Sequence, residues 1–377
     1  MDNFKIFNPT TVYFGKGVLD NLGHRASEIG HRALLMYGTG SIKQNGIYDK
    51  VTASLNEAGI AFTDYQGIKS NPLYEDVDSA ARQAEAFKAD MIIAMGGGSV
   101  IDAAKTTSVA VNAQHSSWLF VNGTHKPTTA LPLIAVLTLS ATGTEMNPYA
   151  VVQNNATKQK IGWGHPLLFP KISFLDPALT CSVSRDYTAY GIADIIIHCL
   201  EAFFGKGEAS LSDALSLSII EEVMNKGRLL LHDLHNTNLR ADIMLASTMA
   251  LNGTTFYGKS YGDWGMHGIG HELSILYDIP HGASLSIVAP AWLRVMGSRD
   301  PQKMIYLAEK LFLRYSVDEC IIGFENFFRE INVPVSLRDF VPQASKKDVL
   351  VQLQNNKVSG SCFVMNGQDL QSIVDIM

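Results

Sequence analysis

Cysteine is scarce in this chain. Cys181, Cys199, Cys320 and Cys362 stand far apart with no C-x-x-C pair, which excludes a disulfide framework and fits reduced thiols in the cytoplasm. Charge is sparse as well, at 18% of residues, and the net charge is -6 with no cluster of Lys or Arg. A nucleic acid or an anionic membrane surface is therefore not expected as a partner. Long apolar runs are missing too. The longest, "ALPLIAVLTLSA" at 130–141, contains Pro132 and is too short to span a bilayer. The opening "MDNFKIFNPTTVYFGKG" lacks the basic cluster and apolar core of a signal peptide. The expectation is a soluble cytoplasmic protein without internal repeats or low-complexity tracts.

Apolar residues make up 46% of the 377, ample for large cores, and the length suggests two domains. In the first half short apolar runs alternate with amphipathic stretches. "RALLMYG" (32–38), "AFTDYQG" (61–67), "DMIIAM" (90–95) and "LPLIAVLT" (131–138) read as strands, while 47–59, 74–89 and a segment from Ser99 read as helices. That alternation predicts βαβ units and a mostly parallel sheet whose ligands bind at the carboxyl ends of the strands. Beyond about Ser184 the apolar spacing becomes three and four residues, as in "YGIADIIIHCLEAFFG" and "PQKMIYLAEKLFLRYS", which predicts helices packed on helices. We expect an α/β domain over 1–182, an all-α domain over 183–377 and an active site in the cleft between them.

"DMIIAMGGGSVIDAAK" places a strand, three glycines, a serine and a helix in that order. Gly96, Gly97 and Gly98 would take positive φ and let backbone approach an anion, and Ser99 would cap a helix whose free N–H groups suit a pyrophosphate. The spacing is neither G-x-G-x-x-G nor a P-loop, and a plain Gly/Ser turn is the alternative. A second loop, "YGTGSIK", holds Gly38, Thr39, Gly40, Ser41 and Lys43 at the end of another strand. It offers no acidic residue for ribose hydroxyls but does offer hydroxyls and a cation, which favours NADP over NAD. A third, "LTLSATGTEMNPYAV", crowds Thr138, Ser140, Thr142, Thr144 and Asn147 after a strand; such residues line ligands or cap turns.

Histidine is concentrated in "GMHGIGHELSILYDIPHG" (265–282). His267 and His271 are four apart on one helical face, and His281 follows Pro280. Upstream, Asp194 and His198 are also four apart, with Ile195, Ile196 and Ile197 between them. A carboxylate in so apolar a run is costly to bury unpaired, and a divalent cation removes that cost. One carboxylate and three imidazoles suit Fe(II) or Zn(II), leaving a residual positive charge that makes a Lewis acid. The fourth histidine, His271, is assigned to the substrate side as a proton relay. "GHELSILY" is not an H-E-x-x-H protease motif, because Ile275 stands where its second histidine belongs. His24, His31, His115, His125, His165, His232 and His235 have no such pairing.

"GGGSVIDAAK", "TLSATGTEMN", "GIADIIIHCLEAF" and "DWGMHGIGHEL…PHG", in that order and spacing, resemble the iron-containing alcohol dehydrogenase family, most closely its butanol dehydrogenase and NADPH-dependent aldehyde reductase branch. Thr39 departs from the glycine that NADPH-using relatives often carry. The resemblance implies metal ligands at Asp194, His198, His267 and His281, with His271 beside the nicotinamide. It further implies cofactor contacts at Gly38, Ser41, Asn71, Gly97, Gly98, Ser99, Asp102, Thr138, Thr142, Asn147 and Lys160, and a homodimer. The expected reaction is reversible hydride transfer between NADP(H) and short- to medium-chain aldehydes or primary alcohols, in a pocket walled by Phe169, Trp264 and Tyr277. The rival on the same scaffold is a metal-dependent lyase or synthase like the 3-dehydroquinate synthases. Such an enzyme grips an anionic substrate and would want several cations, where this chain offers few beyond Lys206, Lys259 and Arg185. A non-catalytic metal- or nucleotide-binding protein is the third reading.

Overall fold

Short apolar runs separated by helices suit parallel pairing, because a helical crossover can return the chain to the same end of the sheet. The computed structural model describes residues 1–297 and 299–377. Its strands are β1 (Thr11–Phe14), β2 (Arg32–Tyr37), β3 (Ala61–Gln66), β4 (Met91–Gly96), β5 (Leu133–Leu137), β6 (Tyr149–Asn154), β7 (Gln159–Gly164) and β8 (Ile172–Leu175). Among the described residues, six of these form one sheet in the order β1-β8-β5-β4-β2-β3, parallel at every step. The other two, β6 and β7, pair antiparallel as a separate hairpin.

The central strands are buried on both faces, so their sequences are almost continuously apolar. Leu34, Met36, Ile92, Ala94, Ala135 and Leu137 point to one core, closed by Val77, Ala80 and Ala84 of the helix Tyr74–Phe87 and by Ile101 and Ala104 of the helix Gly98–Ala110. Alternate residues, among them Leu35, Tyr37, Ile93, Met95 and Val136, point to the opposite core with Val51 and Leu55 of the helix Ile47–Glu57. The strand period of two and the helix period of 3.6 meet in both cores.

The chain divides into two compact units, one comprising Phe7–Val183 with His235–Met244 and the other Met1–Ile6, Ser184–Leu234 and Leu245–Met377. Compared with a division into 1–182 and 183–377, the first six residues, Val183 and 235–244 change sides. The second unit contains the helices Arg185–Phe203, Ser210–His232, Gly265–Tyr277, His281–Met296, Pro301–Phe312 and Val317–Glu330, with shorter ones to the end of the chain. The helix His281–Met296 lies directly on Arg185–Phe203. A Cβ at Gly282 would sit 2.0 Å from the carbonyl oxygen of Tyr190, so only glycine permits the approach. No described helix is long and apolar enough to cross a membrane.

Candidate functional site

The glycine loop gathers at the carboxyl edge of the sheet. β4 ends at Gly96 and the helix Gly98–Ala110 begins two residues later. Thr138, directly after β5, donates its N–H to the Gly96 carbonyl at 3.0 Å, and Gly38 directly follows β2, which pairs with β4. Gly38, Gly97, Gly98 and Thr138 thus stand at the ends of three adjacent parallel strands, the place where open α/β sheets bind ligands. Two expectations about this loop are corrected. None of Gly96, Gly97 and Gly98 takes a positive φ; Gly96 and Gly98 are required by crowding, since a Cβ would lie 2.5 Å from the Val100 side chain at Gly96 and 2.6 Å from Thr142 Oγ1 at Gly98. Ser99 is not the N-cap either. Gly97 holds that position, and the Ser99 hydroxyl donates to the Ser70 carbonyl. The first-turn N–H groups of Gly98 and Ser99 have no intrahelical acceptor and carry the positive end of the helix dipole.

The second loop does need a positive φ, at Gly40, where it is +125°. It leads into a helical turn, Ser41–Gln44. From there Lys43 reaches back, with Nζ 3.3 Å from Gln66 Oε1 and 5.1 Å from the centre of the Tyr37 ring. The nearby Asp64 carboxylate accepts from the Tyr48 hydroxyl at 2.7 Å.

Other expected cofactor contacts are engaged inside the fold. Lys160 Nζ donates to Asn71 Oδ1 at 2.8 Å, and both residues are buried. The oxygens of Asp102 accept from Thr144 Oγ1 at 2.6 Å and the Val151 N–H at 2.8 Å. The Asn147 amide donates to the Gly143 carbonyl at 2.9 Å and accepts from the Tyr149 N–H at 2.9 Å. At the centre lies Lys105, fully buried, donating to Thr144 Oγ1 at 2.7 Å, to the Asn147 carbonyl at 2.8 Å and to the Tyr149 carbonyl at 2.7 Å. Burial pulls the Lys105 ammonium down to about 7, against the opposing pull of the Asp102 and Glu145 carboxylates. This network ties the β5–β6 connection, which carries Thr142, onto the helix of the glycine loop. A lysine in a predominantly apolar helix is its only trace in the sequence.

The metal candidates meet in the helical unit. Asp194 and His198 lie on one face of Arg185–Phe203, His267 is on Gly265–Tyr277, and His281 is the first residue of His281–Met296. Asp194 Oδ1 is 3.5 Å from His198 Nδ1, 3.7 Å from His267 Nε2 and 3.6 Å from His281 Nε2. Donor atoms of Asp194, His267 and His281 all fall within 4.8 Å of one another. His198 joins through Asp194 and through its ring, which stacks on His267 with centroids 4.7 Å apart. The separations are too long for N–H···O hydrogen bonds. They approach the value of about 3.4 Å that four ligands at about 2.1 Å take around a tetrahedral ion. Asp194 Oδ1, His198 Nδ1 and His267 Nε2 are buried without a hydrogen-bond partner, and a divalent cation satisfies all three at once. The residues fit such an ion.

The electrostatics agree. Burial pushes the Asp194 carboxyl up, but the imidazoles of His198, His281 and His267 outweigh it and hold the group below the ordinary carboxylate range. Burial pulls His198 down to about 4 despite Asp194. At His267 burial is overcome by the neighbouring Asp194 and Glu201 carboxylates, which push the ring up to about 9. His271 sits one turn beyond His267, half-buried, with its ring 5.5 Å from that of His281. Trp264 lies 5.2 Å from the His267 ring and 6.2 Å from His198. The Tyr277 hydroxyl is taken by Ser345, and Phe169 packs edge-on against Phe7.

Glu201 carries no sequence signal beyond being a carboxylate inside the apolar run "HCLEAFF". It is fully buried, and its oxygens accept from the backbone N–H groups of Trp264 at 2.6 Å and His267 at 3.0 Å. Asp263, beside it, accepts from the N–H groups of Cys362, Phe363 and Gly265. Burial first, then the Glu201 charge, push Asp263 up to about 6.

Comparison with known proteins converges on one group. A family described as iron-containing alcohol dehydrogenase matches residues 9–177, and its C-terminal counterpart matches 188–372. The probable NADH-dependent butanol dehydrogenase 1 of Bacillus subtilis (strain 168) is 35% identical, with 99% of each chain covered. The NADPH-dependent aldehyde reductase of Escherichia coli (strain K12) is 32% identical over 90% of this chain and 89% of its own. Among solved structures, NADH-dependent butanol dehydrogenase A from Thermotoga maritima superposes with a TM-score of 0.95 at 33% identity, covering 100% of this chain and 98% of that one.

Proposed function

The chain belongs to the iron-containing alcohol dehydrogenase family, and from that premise we propose how its residues divide the work. It is a metal-dependent alcohol dehydrogenase or aldehyde reductase. The lyase alternative is not favoured, since the relatives matched are dehydrogenases and reductases. We assign Asp194, His198, His267 and His281 to hold Fe(II) or Zn(II), and the N-terminus of Gly98–Ala110 to hold the pyrophosphate of the dinucleotide. When bound, the cation polarises a carbonyl oxygen as a Lewis acid and the reduced nicotinamide supplies the hydride that turns an aldehyde into a primary alcohol. The His271 ring nitrogen gives a proton to the alcohol oxygen in that direction and takes it back in the other. Trp264 lends the metal's surroundings an apolar wall, which suits unbranched aldehydes of short to medium chain.

For the dinucleotide we propose a preference for NADP(H). β2 ends without a carboxylate, Lys43 is held at that end, and Asp64 is already engaged by Tyr48. The relatives include both NADH- and NADPH-dependent enzymes, so Lys43 supplies the test. A charge-assisted contact of about 1.5–3 kcal/mol to a 2′-phosphate means that Lys43→Ala lowers kcat/KM for NADPH about 10- to 150-fold and leaves NADH nearly unchanged. Equal losses with both cofactors contradict the assignment.

The observation that carries the reading is the facing of Asp194 Oδ1 by three imidazole nitrogens at 3.5, 3.7 and 3.6 Å. Its test is the absorbance of reduced nicotinamide in the presence of butanal. Steady loss that stops on chelation and returns with Fe(II) or Zn(II) is expected; turnover indifferent to metal refutes it.

A further inference from the structure

A metal-binding imidazole must point one nitrogen at the ion with its lone pair free, and the group on the other nitrogen decides whether it does. At His267 that group is Glu201. Glu201 lies seven residues after Asp194 and three after His198 on the same helix, so all three project from one face. Its carboxylate is fully buried and finds its donors on the facing helix Gly265–Tyr277. Oε2 accepts the Trp264 N–H at 2.6 Å; Oε1 accepts the His267 backbone N–H at 3.0 Å and stands 3.4 Å from its ring Nδ1.

Two consequences follow from the donor chemistry. Trp264, the N-cap of Gly265–Tyr277, is left-handed with φ 66° and makes no side-chain cap bond, and the local Asp263 carboxylate takes the Gly265 N–H, which leaves the His267 N–H for Glu201. Glu201 supplies from across the interface the acceptor that a local Ser or Asp would ordinarily provide. A carboxylate can only accept, so the ring nitrogen facing it carries the hydrogen, and Nε2, on the side of Asp194 Oδ1 3.7 Å away, is the nitrogen that offers its lone pair once a cation has expelled the second proton. The same oxygen grips backbone and ring of one residue, which removes its freedom to rotate.

We propose that Glu201 is a positioning residue that fixes the tautomer and orientation of His267 for the cation, rather than a plain element of the helical core. The proposal rests on the metal assignment above and concerns the steps before turnover. The test uses the full chain stripped with a chelator. Affinity for Zn(II) is measured by competition with a chromophoric chelator, the environment by the visible spectrum after Co(II) loading, and the fold by the Tm of the stripped protein, in wild type, Glu201→Gln and Glu201→Ala. Gln preserves volume but replaces one acceptor oxygen with a donor. Expected are Zn(II) binding about 10- to 100-fold weaker in both variants, shifted Co(II) bands in Glu201→Gln, and a stripped Tm for that variant close to wild type. Unchanged affinity and spectrum in Glu201→Gln overturn the proposal. So does weaker binding accompanied by collapse of the stripped Tm in both variants, which marks Glu201 as merely structural. Failure of the wild type to bind Zn(II) refutes the metal assignment instead, so the two ideas fail separately.

Discussion

At the scale of single residues, His267 and His271 are one helical turn apart and are given different duties. His267→Ala removes a ligand, so the protein should lose metal and activity together. His271→Ala should keep its metal, measured by elemental analysis, while kcat falls about 100-fold or more, the usual contribution of a positioned acid-base group. Loss of metal from that variant shows that His271 is a ligand. A pH dependence follows from the same cluster. In chelator-stripped protein His267 is pushed up to about 9 by Asp194 and Glu201 against burial, so at neutral pH it holds a proton that an incoming cation must expel. Metal affinity should rise with pH, up to about tenfold per unit, and level off near pH 9. Titrations at pH 6, 7 and 8 check this, and a flat profile contradicts it.

At the scale of elements, two contacts fix how the pieces seat. The approach of His281–Met296 to Arg185–Phe203 depends on Gly282, where a Cβ would lie 2.0 Å from the Tyr190 carbonyl oxygen. Gly282→Ala should destabilise by at least about 2 kcal/mol and weaken metal binding, because it moves His281 away from Asp194. A Tm and metal content equal to wild type would show that the helices tolerate the methyl. In the α/β unit, Lys105 is the only link among Asp102, Thr144, Asn147 and Tyr149 to combine full burial with a charge. Lys105→Met takes away the donor to Thr144 Oγ1 and to the Asn147 and Tyr149 carbonyls, a loss of about 1–3 kcal/mol for each group left unsatisfied. It should also raise the dinucleotide KM, through the loop it no longer holds. Denaturant unfolding and initial rates read the two effects.

At the scale of the whole molecule, what was legible in the sequence is what local periodicity controls. β2 to β5 and their helices are long or strongly patterned, the glycine loop sits directly after β4, and the candidate ligands Asp194, His198, His267 and His281 stand on strongly apolar helices of the second unit. The remainder depends on tertiary partners. β1 and β8 span four residues each, too short to show a period, and β6 and β7 are half polar and form their hairpin outside the main sheet. The backbone at Gly96 and Gly98 departs from the expected positive φ because crowding by Val100 and Thr142 is what demands the glycines there. Glu201 and Lys105 were silent because a buried charge is explained only by partners distant in sequence. The central claim is that one carboxylate and three imidazoles hold a single working divalent cation. The most direct measurement is elemental analysis with X-ray absorption on protein purified without chelator, paired with aldehyde reduction by the same sample. The account predicts about one iron or zinc per chain, bound by nitrogen and oxygen at about 2.1 Å with no sulfur, and activity proportional to that content. Full turnover in metal-free protein, or a sulfur-bound ion, would contradict it.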